Sequence, residues 1–265
     1  MTGPLRDGLT LALGILTGVL SGAFGVGGAI ISTPGVRLLG ASAFVAVGST
    51  LPSIVPGSAI ASLRYQREGL IEWRVLATAA PLGILGAVGG SFASHAVPGE
   101  GHWLMVLTAV LLGITALRMG RPSESTTATG DTRALEPAPP RTSSPLIVMI
   151  GLLAGLMSGL LGLGGGLVLV PGFSEVLRLP LKKAIATSLA CVGILAVPGT
   201  VTHALLGDID WRLAVLLTVG AVPGARLGAA IAIAASDRRL RLAVAIGLGV
   251  VAVLYAGGEL AALRR

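Results

Sequence analysis

The sequence predicts an all-α, polytopic membrane protein made of two homologous halves. Hydrophobic residues make up 53% of the 265 residues and charged residues only 12%, whereas about 25% of a soluble domain is charged. Nearly uncharged stretches of roughly 18 or more residues, long enough to cross a bilayer as helices, recur along the chain. They lie near residues 8–33, 43–63, 74–94, 102–118, 145–170, 184–205, 212–235 and 241–258. A glycine motif present in two of these stretches indicates a duplication.

The duplicated motif combines serine, glycine and proline in a fixed order. Its first copy is Ser21-Gly22-Ala23-Phe24-Gly25-Val26-Gly27-Gly28, followed five residues later by Pro34-Gly35. Its second copy is Ser158-Gly159-Leu160-Leu161-Gly162-Leu163-Gly164-Gly165, followed five residues later by Pro171-Gly172. Residues 46–51 match 184–189, and residues 69–74 match 207–212. Pro81 and Gly86 match Pro223 and Gly228 after a further shift of four residues, about one helical turn.

These matches divide the chain into a first membrane repeat (1–118), a linker (119–144) and a second membrane repeat (145–265). The linker contains Ser, Thr, Pro and charged residues without apolar periodicity, a composition typical of disorder. Each repeat is expected to have a glycine-broken first segment, re-entrant or discontinuous, followed by about three spanning helices.

The distribution of basic residues predicts that the two halves are inverted. Lys and Arg concentrate in the cytoplasmic loops of membrane proteins. If all eight segments cross the membrane, the basic residues show a poor bias between the two sides. If the two glycine-broken segments enter and return on the same side, most basic residues share one side, in the stretches 64–74, 118–141, 178–183 and 238–241. We therefore expect a cytoplasmic linker and both termini outside.

The glycines at the two breaks predict a binding site for an anion. Broken helices that meet near the midplane form the substrate site in many transporters built from inverted repeats. Helices that begin near Gly28 and Gly165 would direct unpaired N–H groups at an anion, and glycine lets a ligand approach the backbone. The substrate-binding candidates are Gly25, Gly27, Gly28, Gly162, Gly164 and Gly165. Close helix packing is the alternative, because Gly14, Gly18 and Gly22 are spaced four residues apart.

Hydroxyl side chains occupy matching positions in the segments that follow the breaks. Ser49-Thr50 and Thr187-Ser188 would suit a tetrahedral or planar oxyanion as neutral donors, although such hydroxyls often bond to their own helix. These four residues are also substrate-binding candidates. The candidates for gating or substrate contact around the breaks are Ser21, Pro34, Ser158 and Pro171.

Two ionisable residues add to these candidates. Arg226 is the one cation inside an apolar segment and aligns with Ile84. A central arginine costs about 2.5–3.5 kcal/mol on insertion scales, so it should face the protein interior or water, unless it snorkels to an interface. Facing inward, it would bind substrate or gate the path. His203, at the end of the sixth segment, is either structural or part of the transport pathway.

Several other classes of protein are excluded. The basic residues lie in short loops, so they do not indicate a nucleic-acid partner. Cys191 is the only cysteine, and His95 and His102 lie far in sequence from other candidate ligands, so we expect no metal and no cofactor. Neither glycine motif continues as a phosphate-binding loop. Ser21 and Ser158 occupy the same position in the two halves, where each could be a nucleophile, but only the second half has a histidine that could act as its base. We therefore expect no hydrolase or other enzyme activity.

These motifs resemble the TauE/SafE family of membrane proteins, described as sulfite exporters or anion permeases. The resemblance lies in a repeated Gly-x-x-x-Gly-x-x-Ser-Gly-x-x-Gly-x-Gly-Gly followed by proline, at 14–34 and 151–171, and in a later Gly…Trp-Arg at 69–74 and 207–212. It covers both halves and excludes the linker. It implies transport of sulfur-containing oxyanions such as sulfite or organosulfonates. Arg226 is not part of this family pattern.

The expected function is export of such an anion through the cell membrane by alternating access. A negative interior favours anion export by about 2.3 kcal/mol per charge per 100 mV, and no Asp or Glu lies deep in an apolar segment to form a carboxylate proton relay. An anion channel, an uptake permease for a sulfonate or small carboxylate, and a scaffold without flux are the alternatives. An importer would need coupling, for which His203 is a candidate. The expected partners are a small anion and the lipid bilayer, and a homodimer is compatible with the sequence.

Overall fold

The computed structural model describes residues 3–96, 110, 113–117, 143–162 and 164–263. Within these ranges the secondary structure is entirely helical. Six helices in this part of the chain are long and apolar enough to cross a membrane, which confirms the predicted polytopic helical class. The predicted linker, apart from its last two residues, lies outside the described residues, and so do His102 and most of the segment predicted at 102–118.

The helices follow the predicted segments closely. The first half contains α1 (Pro4–Phe24), α2 (Ala29–Leu38), α3 (Ala43–Arg67) and α4 (Trp73–Ala96). The second half contains α5 (Ser144–Leu161), α6 (Gly166–Pro171), a π-helical turn (Gly172–Val176), α7 (Leu181–Leu205), α8 (Trp211–Ala234) and α9 (Asp237–Leu263). Asp210 caps α8 by accepting hydrogen bonds from the N–H groups of Arg212 and Leu213, as N-cap residues do.

Glycines end both α1 and α5. Gly25 adopts a left-handed conformation with φ of 68°, and its N–H donates to the Ser21 carbonyl at 2.8 Å. Gly162 has φ of 66°, and its N–H donates to the Ser158 carbonyl at the same distance. Glycine adopts this conformation without the penalty of a Cβ atom and therefore commonly terminates helices.

Each of these helices is followed by a segment that runs back along it. Gly28, before α2, packs against Thr17, and Gly35 packs against the earlier residue Leu13. In the second half, Gly165 packs against Ala154, and Gly172 packs against the earlier residue Ile150. Each half thus begins with a helical hairpin: α1 with α2, and α5 with α6 and the π-helical turn.

Glycine residues bring the backbone of α1 into contact with that of α8, and the backbone of α5 into contact with that of α4. Gly14, Gly18 and Gly22 of α1 rest on the carbonyls of Leu217, Ala221 and Ala225 in α8. Gly151, Gly155 and Gly159 of α5 rest on the carbonyls of Ala79, Gly83 and Ala87 in α4. Residue numbers rise together in both pairs, so α1 runs parallel to α8, and α5 runs parallel to α4. Contacts this close need residues without a Cβ atom.

These contacts correct one part of the predicted alignment of the halves. The contacted residues differ by 138 positions, as 217 does from 79 and 225 from 87. The offset of 138 that relates residues 207–212 to residues 69–74 therefore continues through α8. The further shift of four residues, which was inferred from Pro81 and Pro223, is wrong. By this offset, Val88 rather than Ile84 is the counterpart of Arg226. The prolines misled the alignment because a proline kink need not recur in both copies, whereas the helix contacts do.

Candidate functional site

The two turns that end α1 and α5 meet at the centre of the protein. The first turn comprises residues 25–28, and the second turn comprises Gly162, Gly164 and Gly165. Gly166 packs on the backbone of Val26, and a Cβ atom placed on Gly164 would lie 3.8 Å from the Cα atom of Gly27. It would also lie 2.8 Å from a methyl group of Val192, near the midpoint of α7. The structure therefore brings all six predicted glycines into one region.

Two of the predicted hydroxyl residues join the halves reciprocally. The Ser49 hydroxyl oxygen accepts a hydrogen bond from the Asp210 N–H at 2.8 Å. The Thr187 hydroxyl oxygen accepts one from the Glu72 N–H at 3.0 Å. Ser49 and Thr187 are repeat counterparts, as are Glu72 and Asp210. Ser49 thus links the first part of α3 to the loop before α8, and Thr187 links the first part of α7 to the loop before α4.

The other two predicted hydroxyl residues lie closer to the turns. The Ser188 hydroxyl donates to the Gly25 carbonyl at 2.8 Å, so the second half holds the first turn in place. The Thr50 hydroxyl donates to the Val47 carbonyl at 3.0 Å and lies 3.3 Å from the Thr33 hydroxyl. All four predicted hydroxyl residues are fully buried.

A small cavity of about 10 Å³, with room for roughly one water molecule, lies beside the first turn, between α1, α3 and α8. It is called the polar cavity because three of the residues that line it carry hydroxyl groups. Its lining comprises Thr17, Gly18, Ser21, Gly28, Ser53, Ile54, Gly57, Ala221 and Ala225, none of them charged. Ser53 and Gly57 lie near the midpoint of α3. The Thr17 hydroxyl is buried and has no hydrogen-bond partner, and the Ser53 hydroxyl donates to the Thr50 carbonyl at 2.7 Å. The cavity can therefore offer hydroxyl donors to a small ligand without supplying a charge.

The start of α2 lies beside the same cavity. The first N–H groups of any helix lack acceptors within that helix, and the aligned peptide dipoles make this end attractive to anions. Gly28, the residue immediately before α2, lines the cavity. The cavity thus combines hydroxyl groups with a helix N-terminus, which is a donor set suited to the oxygen atoms of an anion.

The equivalent space in the second half is filled. Leu195 stands where the first half has Gly57, and its side chain packs against Gly83. Ala154 and Cys191 stand where the first half has Thr17 and Ser53. In the second half, Leu195 therefore occupies space that corresponds to the cavity of the first half.

Three residues that line the cavity were not predicted from the sequence: Thr17, Ser53 and Gly57. Thr17 lies one helical turn before Ser21, and Ser53 lies one turn after Ser49, so helical spacing from the candidates could have indicated both. A search for repeated residues could not find them, because each differs from its counterpart.

The remaining candidates lie in different surroundings. Ser21 lines the polar cavity, whereas its counterpart Ser158 is buried with an unpartnered hydroxyl. Pro34 and Pro171 are half-buried within or at the end of the returning segments and are not part of the cavity lining. Arg226 is exposed on α8 and is not part of that lining either.

His203 makes a buried contact with a carboxylate. Its Nδ1 atom lies 2.8 Å from Oδ2 of Asp208, and its Nε2 atom lies 3.4 Å from the carbonyl oxygen of Gly159. The counterpart of His203 is Tyr65, whose hydroxyl donates to the carbonyl of Gly22 at 2.7 Å. In each half, therefore, an aromatic side chain of the long central helix contacts the first helix of the hairpin. The contact lies about one turn before the glycine that ends that first helix.

The helical fold, the buried core and the six membrane-length helices found among the described residues define a multi-pass helical membrane protein. Residues 10–255 match the family model described as "Sulfite exporter TauE/SafE". The chain belongs to the TauE/SafE family, which is a family of membrane transporters.

Relatives of similar length support this assignment. A "Probable membrane transporter protein" of Xylella fastidiosa is 28% identical over 92% of this chain and 92% of its own length. The "Probable membrane transporter protein YunE" of Bacillus subtilis is 26% identical over 84% of this chain and 87% of its own length. A probable membrane transporter protein of Methanocaldococcus jannaschii is 24% identical over 91% of this chain and 92% of its own length. No solved structure matches the chain.

Proposed function

We propose that this protein is a cell-membrane permease that exports small sulfur-containing oxyanions, such as sulfite or an organosulfonate. The observation that carries the proposal is the uncharged polar cavity beside the first turn. A buried hydroxyl without a partner costs about 1–3 kcal/mol, and the Thr17 hydroxyl has none. As the structure stands, the cavity holds no more than about one water molecule, so the proposal requires helix movement that widens it. An oxyanion in the widened cavity would accept hydrogen bonds from Thr17, from Ser21 and from the start of α2.

The chemistry of the cavity favours this class of substrate. Sulfite and sulfonates present three oxygen atoms on one sulfur, so they can accept several hydrogen bonds at once from donors on different helices. The described lining has no arginine or lysine to pair with a carboxylate or phosphate. The family description, which names sulfite, supports the same class.

The proposal includes two inverted repeats with re-entrant hairpins. The contacts of Gly48 with Asp208 and of Gly57 with Ala221 make α3 parallel to α8. If α3 and α4 form an antiparallel pair across the membrane, the parallel contacts of α1 with α8 and of α5 with α4 then give α1 and α5 opposite directions. The reciprocal contacts of Ser49 with Asp210 and of Thr187 with Glu72 support a pseudo-twofold axis between the halves. With this arrangement the linker is cytoplasmic and both termini are outside, as the basic residues predict.

Alternating access follows from the same framework. The pair of α1 and α8 would move against the pair of α4 and α5, because close backbone contact makes each pair stiff. The contact of Ser49 with Asp210 would close one end of the path. The contact of Thr187 with Glu72, together with the ion pair of Glu72 and Lys183 at 2.6 Å, would close the other.

The proposal is tested by efflux of sulfite from vesicles that contain the purified protein. We expect saturable, protein-dependent efflux, which exchange for external sulfite accelerates. Replacing Thr17 by Val should weaken transport by about 10- to 150-fold, because a hydrogen bond to a charged group contributes about 1.5–3 kcal/mol. The matched control is Thr78→Val, since the Thr78 hydroxyl donates to the carbonyl of Arg74 in its own helix.

The alternatives give different outcomes in the same vesicles. Flux without saturation or exchange would indicate a channel, and uptake that requires a coupling ion would indicate an importer. Absence of flux for sulfite, sulfonates and small carboxylates would leave only a scaffold. Equal effects of Thr17→Val and Thr78→Val would contradict the assignment of the cavity.

A further inference from the structure

Lys183 and Glu72 form an ion pair between the two halves, at the end that the proposed function places on the cytoplasmic side. The Nζ atom of Lys183, near the start of α7, lies 2.6 Å from Oε1 of Glu72, which directly precedes α4. The Lys183 side chain is 38% exposed and the Glu72 side chain is 36% exposed. An anion that arrives from solution at this end can therefore reach both partners.

The start of α7 connects this ion pair to the turn beside the polar cavity. Thr187, one helical turn after Lys183, accepts a hydrogen bond from the Glu72 N–H at 3.0 Å. Ser188, the next residue of α7, donates to the Gly25 carbonyl at 2.8 Å. Five residues of helix span about 7.5 Å, so Lys183 lies at the outer end of a short stretch of α7 that leads to Gly25.

The opposite end of the protein closes without a lysine at the equivalent position. There the Ser49 hydroxyl accepts the Asp210 N–H at 2.8 Å, and Val45 stands where the second half has Lys183. The Asp210 carboxylate caps α8, whereas its counterpart Glu72 pairs with Lys183. A contact between a hydroxyl group and a backbone N–H is common to both ends, so closure does not by itself account for the lysine.

We propose that Lys183 receives the anion on the cytoplasmic side by releasing Glu72. This inference rests on the proposed function. Ion pairs between partly exposed side chains contribute little to stability, so an anion from solution can displace the Glu72 carboxylate. The lysine ammonium is a point charge with rotatable donors, so it attracts small anions in general and leaves the choice among them to the polar cavity.

Displacement of Glu72 loosens the closure that blocks the path of the anion. It leaves one of the two described contacts between Glu72 and α7, the hydrogen bond to Thr187. The loop before α4 is then freer to move away from α7, together with the pair of α4 and α5. The anion favours this open state because Glu72 no longer competes for Lys183 there, and a ligand shifts an equilibrium toward the state that it binds more tightly.

The test is transport of methanesulfonate by the full chain in vesicles, at constant ionic strength. We expect Glu72→Gln to raise the rate at limiting concentration about two- to fivefold, because it removes the competing carboxylate. Lys183→Gln should lower the same rate about two- to fivefold, because it removes the charge that receives the anion. The variant with both changes should behave like Lys183→Gln.

The opposite signs separate this role from a structural one. If the ion pair only held the loop before α4 against α7, the loss of either partner would break the same contact and change transport in the same direction. The controls are Arg67→Gln and Glu68→Gln, which change exposed charges at the same end and so report the general electrostatic field. Each should change the rate at limiting concentration by less than about twofold.

Hydrogen exchange of the Glu72 N–H gives a second measurement. When methanesulfonate replaces gluconate at constant ionic strength, we expect this N–H to exchange about two- to fivefold faster in the wild-type protein. Lys183→Gln should remove the response. Dimethyl sulfone, which resembles methanesulfonate in shape but is uncharged, should not cause it.

The outcomes distinguish this inference from the proposed function. Methanesulfonate transport that Glu72→Gln and Lys183→Gln change in the same direction would overturn the role of Lys183 and leave the permease intact. Effects of equal size in Arg67→Gln and Glu68→Gln, or a Glu72 N–H that does not respond to methanesulfonate, would also overturn it. Absence of transport for both methanesulfonate and sulfite would overturn the proposed function, and the role of Lys183 with it.

Discussion

The side chain of Leu195 packs against Gly83, and its Cδ2 atom lies 2.7 Å from the position that a Cβ atom on Gly83 would take. The counterpart of Leu195 in the first half is Gly57, which leaves space beside Ala221 and Ala225. This difference between the repeats leaves space in the first half where a leucine side chain packs in the second.

Replacing Gly57 by Leu should therefore greatly weaken anion binding. A Cβ atom on Gly57 would meet the nearest side chains at 3.8 Å, an ordinary contact distance, but the rest of the leucine is larger than the polar cavity. We expect at least a ~100-fold loss of sulfite or sulfonate affinity, about 2.7 kcal/mol, and a lower melting temperature, because overpacking costs about 1–3 kcal/mol. Gly57→Ala is the control, because its added methyl group makes only ordinary contacts and should change affinity less than about threefold. Retention of binding by Gly57→Leu would place the anion elsewhere.

The same comparison explains which parts of the site the sequence could predict. A repeated motif identifies residues that both halves keep, so it found the glycines at both turns and the four buried hydroxyl residues after them. The cavity depends on residues at which the halves differ: Thr17 against Ala154, Ser53 against Cys191, and Gly57 against Leu195. Helical spacing from Ser21 and Ser49 could have indicated Thr17 and Ser53, but nothing in the sequence marks Gly57 until contacts show which helices face one another. The helical class was predictable because long apolar segments admit few other structures in a membrane.

Replacing Gly18 by Ala should destabilise the protein. A Cβ atom there would collide with the backbone of Ala221 in α8, so the two helices would have to separate. Overpacking of this kind costs about 1–3 kcal/mol, and we expect a lower melting temperature in detergent. The control is Gly89→Ala in α4, which has no atom within 4 Å of the new Cβ position and should gain up to about 1 kcal/mol of helix propensity. Equal melting temperatures for the two variants would show that the α1–α8 contact is not tight.

Replacing Ser188 by Ala should weaken anion binding through the first turn. The change removes the donor to the Gly25 carbonyl and frees the glycine that ends α1. A hydrogen bond of this kind contributes about 0.5–1.5 kcal/mol, so we expect a two- to tenfold loss of affinity, measured by titration of the purified protein with sulfonate. Thr200→Val is the control, because the Thr200 hydroxyl donates to Ala196 within its own helix. An affinity loss shared by both variants would point to a general effect on α7 rather than on the turn.

Replacing Arg226 by Gln should leave anion affinity and transport rate within about twofold of the original values. The sequence left open whether this arginine contacts substrate, gates the path or reaches an interface. Arg226 lies on the exposed face of α8, beside Leu227, which is 57% exposed, whereas the polar cavity meets the opposite face of that helix at Ala221 and Ala225. A long side chain on the outer face can extend its charge toward the polar headgroups. The measurement is sulfite efflux at saturating and at limiting concentration. A tenfold loss at limiting concentration alone would show that Arg226 contributes to substrate binding after all, and an equal loss at both would show that it takes part in gating.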